Sequence, residues 1–297
     1  MPQNDSQVPW TDEQWARVNN AIQEEASRAR VAATFLPMVG PLPADADFVR
    51  REQFVNQNPI RIEDRLTIRL ATLQVMVSLR GAQMADPELT SALALFRRAA
   101  NVLARLEDTV VFDGLAAGPV LPGDVIPPVA PARGAGQLPA GWEITGGEQN
   151  QGLWQAGLDN PVPIDIDDQN NGINLVRGVS DAIGRLEARG QFGPYAAALD
   201  QDLFRIAQTP DPLVLPQDRI IPFLGGGSLL RCSALPPYTG VMVALGGAPV
   251  ELVVATDMSL QFLQLTTMPR FVFRVFEKLV LRIKEPAAIR AIIPGDP

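Results

Sequence analysis

The stretch PRFVFRVFEKLVLRIKEP, residues 269–286, limits the fold more than any other part of the chain. Alternate residues Phe271, Phe273, Val275, Leu279, Leu281 and Ile283 share one face, broken only by Glu277. The other face mixes Arg274, Lys278, Arg282 and Lys284 with Val272, Phe276 and Val280. A period of two marks a strand with one buried face. A membrane-spanning helix needs about 20 nearly uncharged residues, and the charges here exclude one. At ~3.3 Å per residue the strand reaches about 45 Å, well beyond ordinary strand length. Either it is one long strand of an extended architecture, or a turn at Glu277–Lys278 divides it.

With 297 residues the chain holds one large domain or two ordinary ones, and 46% hydrophobic content is enough for a core. A net charge of −8 argues against nucleic acid as the main partner. The sequence has no histidine, which removes the commonest metal ligand and the commonest neutral-pH general base. Cys232 is the single cysteine, so neither an intrachain disulfide nor a thiolate cluster can form. The opening MPQNDSQVPW lacks a basic region followed by an apolar run, so no signal peptide is visible and the cytoplasm is the expected location.

Thr11 and Gln14 have capping-box spacing ahead of Trp15, Val18, Ile22 and Ala26, which predicts a helix over 12–32. Residues 60–79 alternate locally and predict two strands or a long hairpin. Asp86 as N-cap, Pro87 at the first helical position and Gly114 past the end frame a long spine helix. Its stripe runs through Leu89, Leu93, Phe96, Ala100, Leu103, Leu106 and Val110. Residues 115–174 are rich in Pro, Gly and acid, and predict a long loop or insertion with a short strand near Trp142–Thr145. A helix at 175–189, the strand-like YAAAL, a short helix at 200–207 and a Pro-rich loop at 208–216 follow, then more strands.

No motif carries catalysis. Asp165–Gly172 resembles a calcium loop, but a glycine, Gly178, stands where the bidentate glutamate belongs. Gly225–Ser228 resembles a phosphate cradle without the following Gly-Lys-Ser/Thr, so a turn before a strand is expected. Cys232 sits in LLRCSAL with no histidine to activate it and reads as core. Glu24–Glu25, Glu63–Asp64 and Glu107–Asp108 read as carboxylate pairs that helix surfaces produce by chance. No metal site, catalytic residue or cofactor is assigned.

Four segments in order do resemble a known family. TDEQWARVNNAIQEEASRARVAATFLPMVGP is similar to the opening of the encapsulins, where a TxxQW helix leads to a Gly-Pro. LARLEDTVVFDG resembles the family's FEDEVIFxG, and GQFGPYAAALDQDLF its GPYxLVIxxDxW. ATDMSLQF with RFVFRVFEKLVLRIKEPAAI resembles its GQDLSIGY and FxFxVxxPEAL ending. The resemblance implies a family-1 encapsulin, an α+β shell subunit with the HK97-type phage-capsid fold. It implies an N-terminal arm and inner helix over 1–42, an extended loop over 43–80 and the spine helix over 81–114. The insertion 115–174, an axial domain over 175–250 and C-terminal peripheral strands over 251–297 complete it. About 60 or more copies would close an icosahedral shell around a cargo enzyme, either a peroxidase or a ferritin-like iron-oxidising protein.

The same resemblance implies two sites. A C-terminal targeting peptide of the cargo would dock at Arg30, Val31, Thr34, Phe35 and Met38, with Asp257, Ser259 and Leu260. A five-fold pore loop would comprise Gln208, Thr209, Pro210, Asp211 and Pro212, with Asp211 forming an anionic ring. The strand around Val77 lacks the tryptophan that some members associate with flavin, so flavin is not carried over. The alternative with the same fold is the major capsid protein of a tailed phage; a soluble α/β enzyme is the third reading.

Overall fold

The computed structural model describes residues 8–55, 59–117, 129–132, 141–166, 170–210 and 214–295. The ribbon is one uninterrupted strand, Arg270–Ile283, with no turn at Glu277–Lys278. It sits third in a five-stranded sheet ordered Met38–Val39, Val250–Leu265, Arg270–Ile283, Ala71–Arg80, Trp142–Thr145. Both long neighbours run antiparallel to it. Its apolar face covers a core shared with the N-terminal helix Asp12–Ala29 and the spine helix Thr90–Asp113.

Thr11 and Gln14 form the expected capping box, and the helix ends at Ala29 rather than 32. Arg30 leaves helical space with ψ 134°, and its own amide donates to Ala26 O. The spine helix also starts later than expected. Leu89, in the left-handed region at φ 52°, holds the cap position instead of Asp86. Its amide closes a turn onto Asp86 O, which buries the Leu89 side chain completely. Asp86 still accepts from the Glu88 and Thr90 amides at 3.0 and 2.9 Å, from outside the helix.

Residues 60–79 are the two strands expected as one alternative and not a hairpin. Arg61–Arg69 pairs with Phe48–Val55 in a two-stranded arm, and Ala71–Arg80 enters the main sheet. The arm leaves Phe48, Ile62 and Leu66 at 59%, 54% and 59% exposure. Its root is tied to the polar face of the ribbon. Lys278 binds Asp47 at 2.6 Å, Arg282 binds Glu52 at 3.0 Å, and the Phe54 amide donates to Lys284 O. Ile68 and Leu70 bury there against Val253, Ala255 and Val280.

A second five-stranded sheet is ordered Leu229–Arg231, Tyr195–Leu199, Gly240–Ala244, Ile289–Pro294, Val162–Ile164. With the helices Asn171–Glu187, Gln201–Ala207 and Pro216–Ile220 it encloses its own core. Residues 115–174 are therefore not a uniform loop. Trp142–Thr145 edges the first sheet, Val162–Ile164 edges the second, and the helix Leu153–Gly157 buries Leu153 and Trp154. Trp142–Thr145 is the short strand expected there; Leu153–Gly157 and Val162–Ile164 carry too few periods to show in sequence. Among the described residues no helix is long and apolar enough to cross a membrane.

Candidate functional site

Gly225 and Gly226 have φ of 60° and 91° and form a turn ahead of the strand Leu229–Arg231, as expected. Cys232 is buried. The acidic stretch 165–172 falls partly on 167–169, outside the described residues.

The structure gives the break in the ribbon's apolar face a partner. Glu277 is 1% exposed, and its carboxylate accepts from the Arg30 guanidinium at 2.6 Å. The same guanidinium contacts Glu107 at 2.5 Å and donates to Asp257 at 2.9 Å. Three carboxyls of its own chain surround Arg30, the residue for which the resemblance implies a contact with a polar group of a docked peptide. Burial opposes its charge, but Glu277, Glu107 and Asp257 outweigh burial and hold its pKa above the ordinary arginine value.

Glu107 and Asp108 are not a chance surface pair. They are 1% and 5% exposed on a spine helix that packs against the N-terminal helix, the ribbon and the turn Ala32–Thr34. Asp108 accepts from the Val31 amide at 2.9 and 3.0 Å and from the Ala32 amide at 2.8 Å. These amides open the turn Ala32–Thr34, where backbone donors lack partners of their own. Burial pushes the Asp108 carboxyl up to about 8, Glu107 adds to the rise, and the amide bonds oppose it without prevailing. Burial also raises Glu107 and Glu277, the latter further by the Glu107 charge.

The remaining expected docking residues form an elongated surface rather than a compact pocket. Val31, Phe35 and Leu260 are half-buried against the main core, with the Phe35 ring 6.2 Å from Phe112. The Thr34 hydroxyl donates to Val31 O, and the Ser259 hydroxyl to Asp257 O. Gln23 donates to Met258 O at 2.6 Å, joining the N-terminal helix to the same strand. Met38, 50% exposed, is registered opposite Leu252. That places it about 25 Å from Leu260 along the strand, at ~3.3 Å per residue. Gly40 ends this surface at φ 143°, where a Cβ would stand 2.1 Å from Val254 O.

At the second expected site, Gln208 ends the helix Gln201–Ala207, its side chain bonded to Gln217. The Thr209 hydroxyl donates to Arg205 O, and Pro210 follows. Asp211 and Pro212 lie outside the described residues. Among the described residues no group of His, Cys, Asp or Glu could hold a metal ion.

Two sheets, the second with one face in the main core and the other in a core of its own, a long ribbon over a spine helix and a two-stranded arm define an α+β shell protein of the HK97-type phage-capsid fold. The chain belongs to the family-1 encapsulins: the family model described as the encapsulating protein for peroxidase matches residues 3–121 and 145–280. The type 1 encapsulin shell protein of Myxococcus xanthus is 27% identical over 95% of this chain and 92% of its own. The virus-like particle subunit of Pyrococcus furiosus has a TM-score of 0.65 at 13% identity, covering 95% of this chain and 100% of its own. The capsid of Myoviridae phage XM1 gives 0.56 at 11% identity, over 87% of this chain and 90% of its own. Within 115–174, the stretch without a match to the family model is 122–144.

Proposed function

We propose that copies of this chain, about 60 or more in number, close an icosahedral compartment around a cargo protein. The observation that carries this reading is the arm. Phe48, Ile62 and Leu66 stay more than half exposed on a two-stranded hairpin that is seated on the ribbon along one side, and exposed apolar residues of this size call for cover. A neighbouring copy supplies the missing cover. The cargo, a peroxidase or a ferritin-like iron-oxidising protein, is held by a C-terminal targeting peptide. The long surface from Leu260 and Ser259 past Arg30 and Thr34 to Met38 suits an extended peptide better than a folded domain. The loop Gln208–Pro212 lines the five-fold pore, where Asp211 repeated around the axis favours cations. The shell itself confines chemistry and does none.

Size-exclusion chromatography with negative-stain microscopy tests this reading. Uniform hollow particles, with a cargo protein co-purified from the host, are expected. Species of one or two subunits would overturn the shell. Particles filled with nucleic acid would mark a phage major capsid protein instead.

A further inference from the structure

The cluster around Arg30 holds more acid than base. The charged groups that bear on it are Glu107 and Asp108 from the spine helix, Asp257 from the strand Val250–Leu265, and Glu277 from the ribbon. Arg30 is the cation among them. Glu107 and Glu277 are within hydrogen-bond reach of each other and 1% exposed. Glu107 Oε1 and Glu277 Oε1 have no hydrogen-bond donor among the described residues. Two touching carboxyls in a dry interior cannot both ionise, and neither oxygen finds a donor unless one carboxyl carries a proton.

We infer that Glu107 and Glu277 share one proton at neutral pH and that, with Asp108, they are the positioning groups of the docking surface. The shared proton leaves one internal anion facing Arg30. A second arm of the same guanidinium then reaches Asp257, which is 49% exposed at its side chain. Asp108 meanwhile fixes the turn that presents Thr34 and Phe35. Loss of the shared proton adds a second internal anion, draws Arg30 inward and frees the Asp257 carboxylate at the surface. One internal proton thus sets both the order of the Arg30–Thr34 turn and the charge beside it. The docking role rests on the proposed function; the shared proton and the tether do not.

The test uses intact assembled protein. Because Asp108 also keeps its proton at neutral pH, infrared spectra are taken in the Asp108→Asn background, where a protonated-carboxyl carbonyl band is expected that is lost at alkaline pH and absent once Glu277→Gln or Glu107→Gln is added. Amide exchange at Val31 and Ala32 gives the second readout. Opening releases the shared proton only where the pair still holds it, above the ordinary glutamate pKa of about 4.3. Protection there falls as pH rises, each retained proton contributing up to about tenfold per pH unit. Glu277→Gln keeps the contact without the titration and is expected to make this slope shallower by one proton. An Asp108→Asn spectrum without the band, or an unchanged slope in Glu277→Gln, overturns the inference. The Asp108→Asn band decides the matter even where a variant lacking Glu107 or Glu277 fails to fold. Absence of the band in well-formed particles sinks this inference alone, and its presence in protein that forms no particles sinks the shell reading alone.

Discussion

The Trp10 indole stacks on the Phe273 ring, with centroids 5.1 Å apart and planes 11° from parallel. The chain ahead of the first helix is thereby pinned near the start of the ribbon. Phe273 also meets Phe96 and Phe262 edge-on at 5.5 and 5.3 Å. Phe273→Ala empties a site with aromatic neighbours on several sides and is expected to cost about 3–5 kcal/mol. Chemical denaturation of the soluble protein would measure this, and a loss under 1 kcal/mol would mean that the cluster collapses readily into the gap.

Stability should fall as pH rises from about 5 to 8. The folded Asp108 carboxyl holds its proton to about 8, while in the unfolded chain it ionises near the ordinary aspartate pKa of about 3.9. Unfolding therefore releases a proton across that window, and each step up in pH favours the unfolded state. Asp108→Asn keeps one acceptor oxygen for the turn amides and cannot ionise. Its melting temperature is expected to change less between pH 5 and 8 than that of the wild type. A parallel decline in both proteins would remove Asp108 as the source.

Arg290 is 2% exposed, and one of its nitrogens donates to the adjacent Ile289 O. Its Nε and other terminal nitrogen have no hydrogen-bond partner among the described residues. Burial, reinforced by the Arg189 charge, presses its pKa below the ordinary value. Leaving buried donors unmade costs about 1–3 kcal/mol. Arg290→Met keeps the apolar stem and removes the orphans, so a higher melting temperature is expected. A sharp drop in a melting scan would show that the guanidinium has a partner in the assembled state.

Residues 122–144 have no match in the family model. Replacing 122–138 with a short Gly-Ser bridge removes the strand Val129–Pro131, which pairs with Leu115–Ala117, but keeps the pairing of Trp142–Thr145 with Ala71–Arg80 and the buried helix Leu153–Gly157. Particles should still form, as judged by negative stain. A deletion reaching residue 160 would strip Leu153 and Trp154 from the core and could not separate lost assembly from lost folding.

The ribbon, the capping box and the spine helix were legible because each repeats a local rule over several turns or pleats. The arm's first strand, FVRREQFV, was not. Of its apolar residues only Val49 packs against a core cluster among the described residues, so they keep no period. Leu89 was assigned to the apolar stripe but not to its left-handed cap, since nothing in its side chain favours that geometry. The acidic cluster was hidden for a different reason. Arg30 and Glu277 are 247 residues apart, and Glu277 looks in isolation like a flaw in the ribbon's apolar face. The informative sign was that flaw: a single charge in an apolar row asks for a distant counter-ion. For the proposed docking surface, the resemblance supplied Arg30 and Asp257 but not the buried Glu107, Asp108 or Glu277.

The arm's seat has a mechanical consequence. Lys278–Asp47, Arg282–Glu52 and the Phe54 amide on Lys284 O hold its first strand along the ribbon from base to tip, and Ile68 and Leu70 add an apolar joint at the base. Close-packed side chains resist sliding. A load on the hairpin therefore passes sideways into the ribbon and the spine helix beneath it, as into a rib bonded to a plate, instead of bending the hairpin at its base.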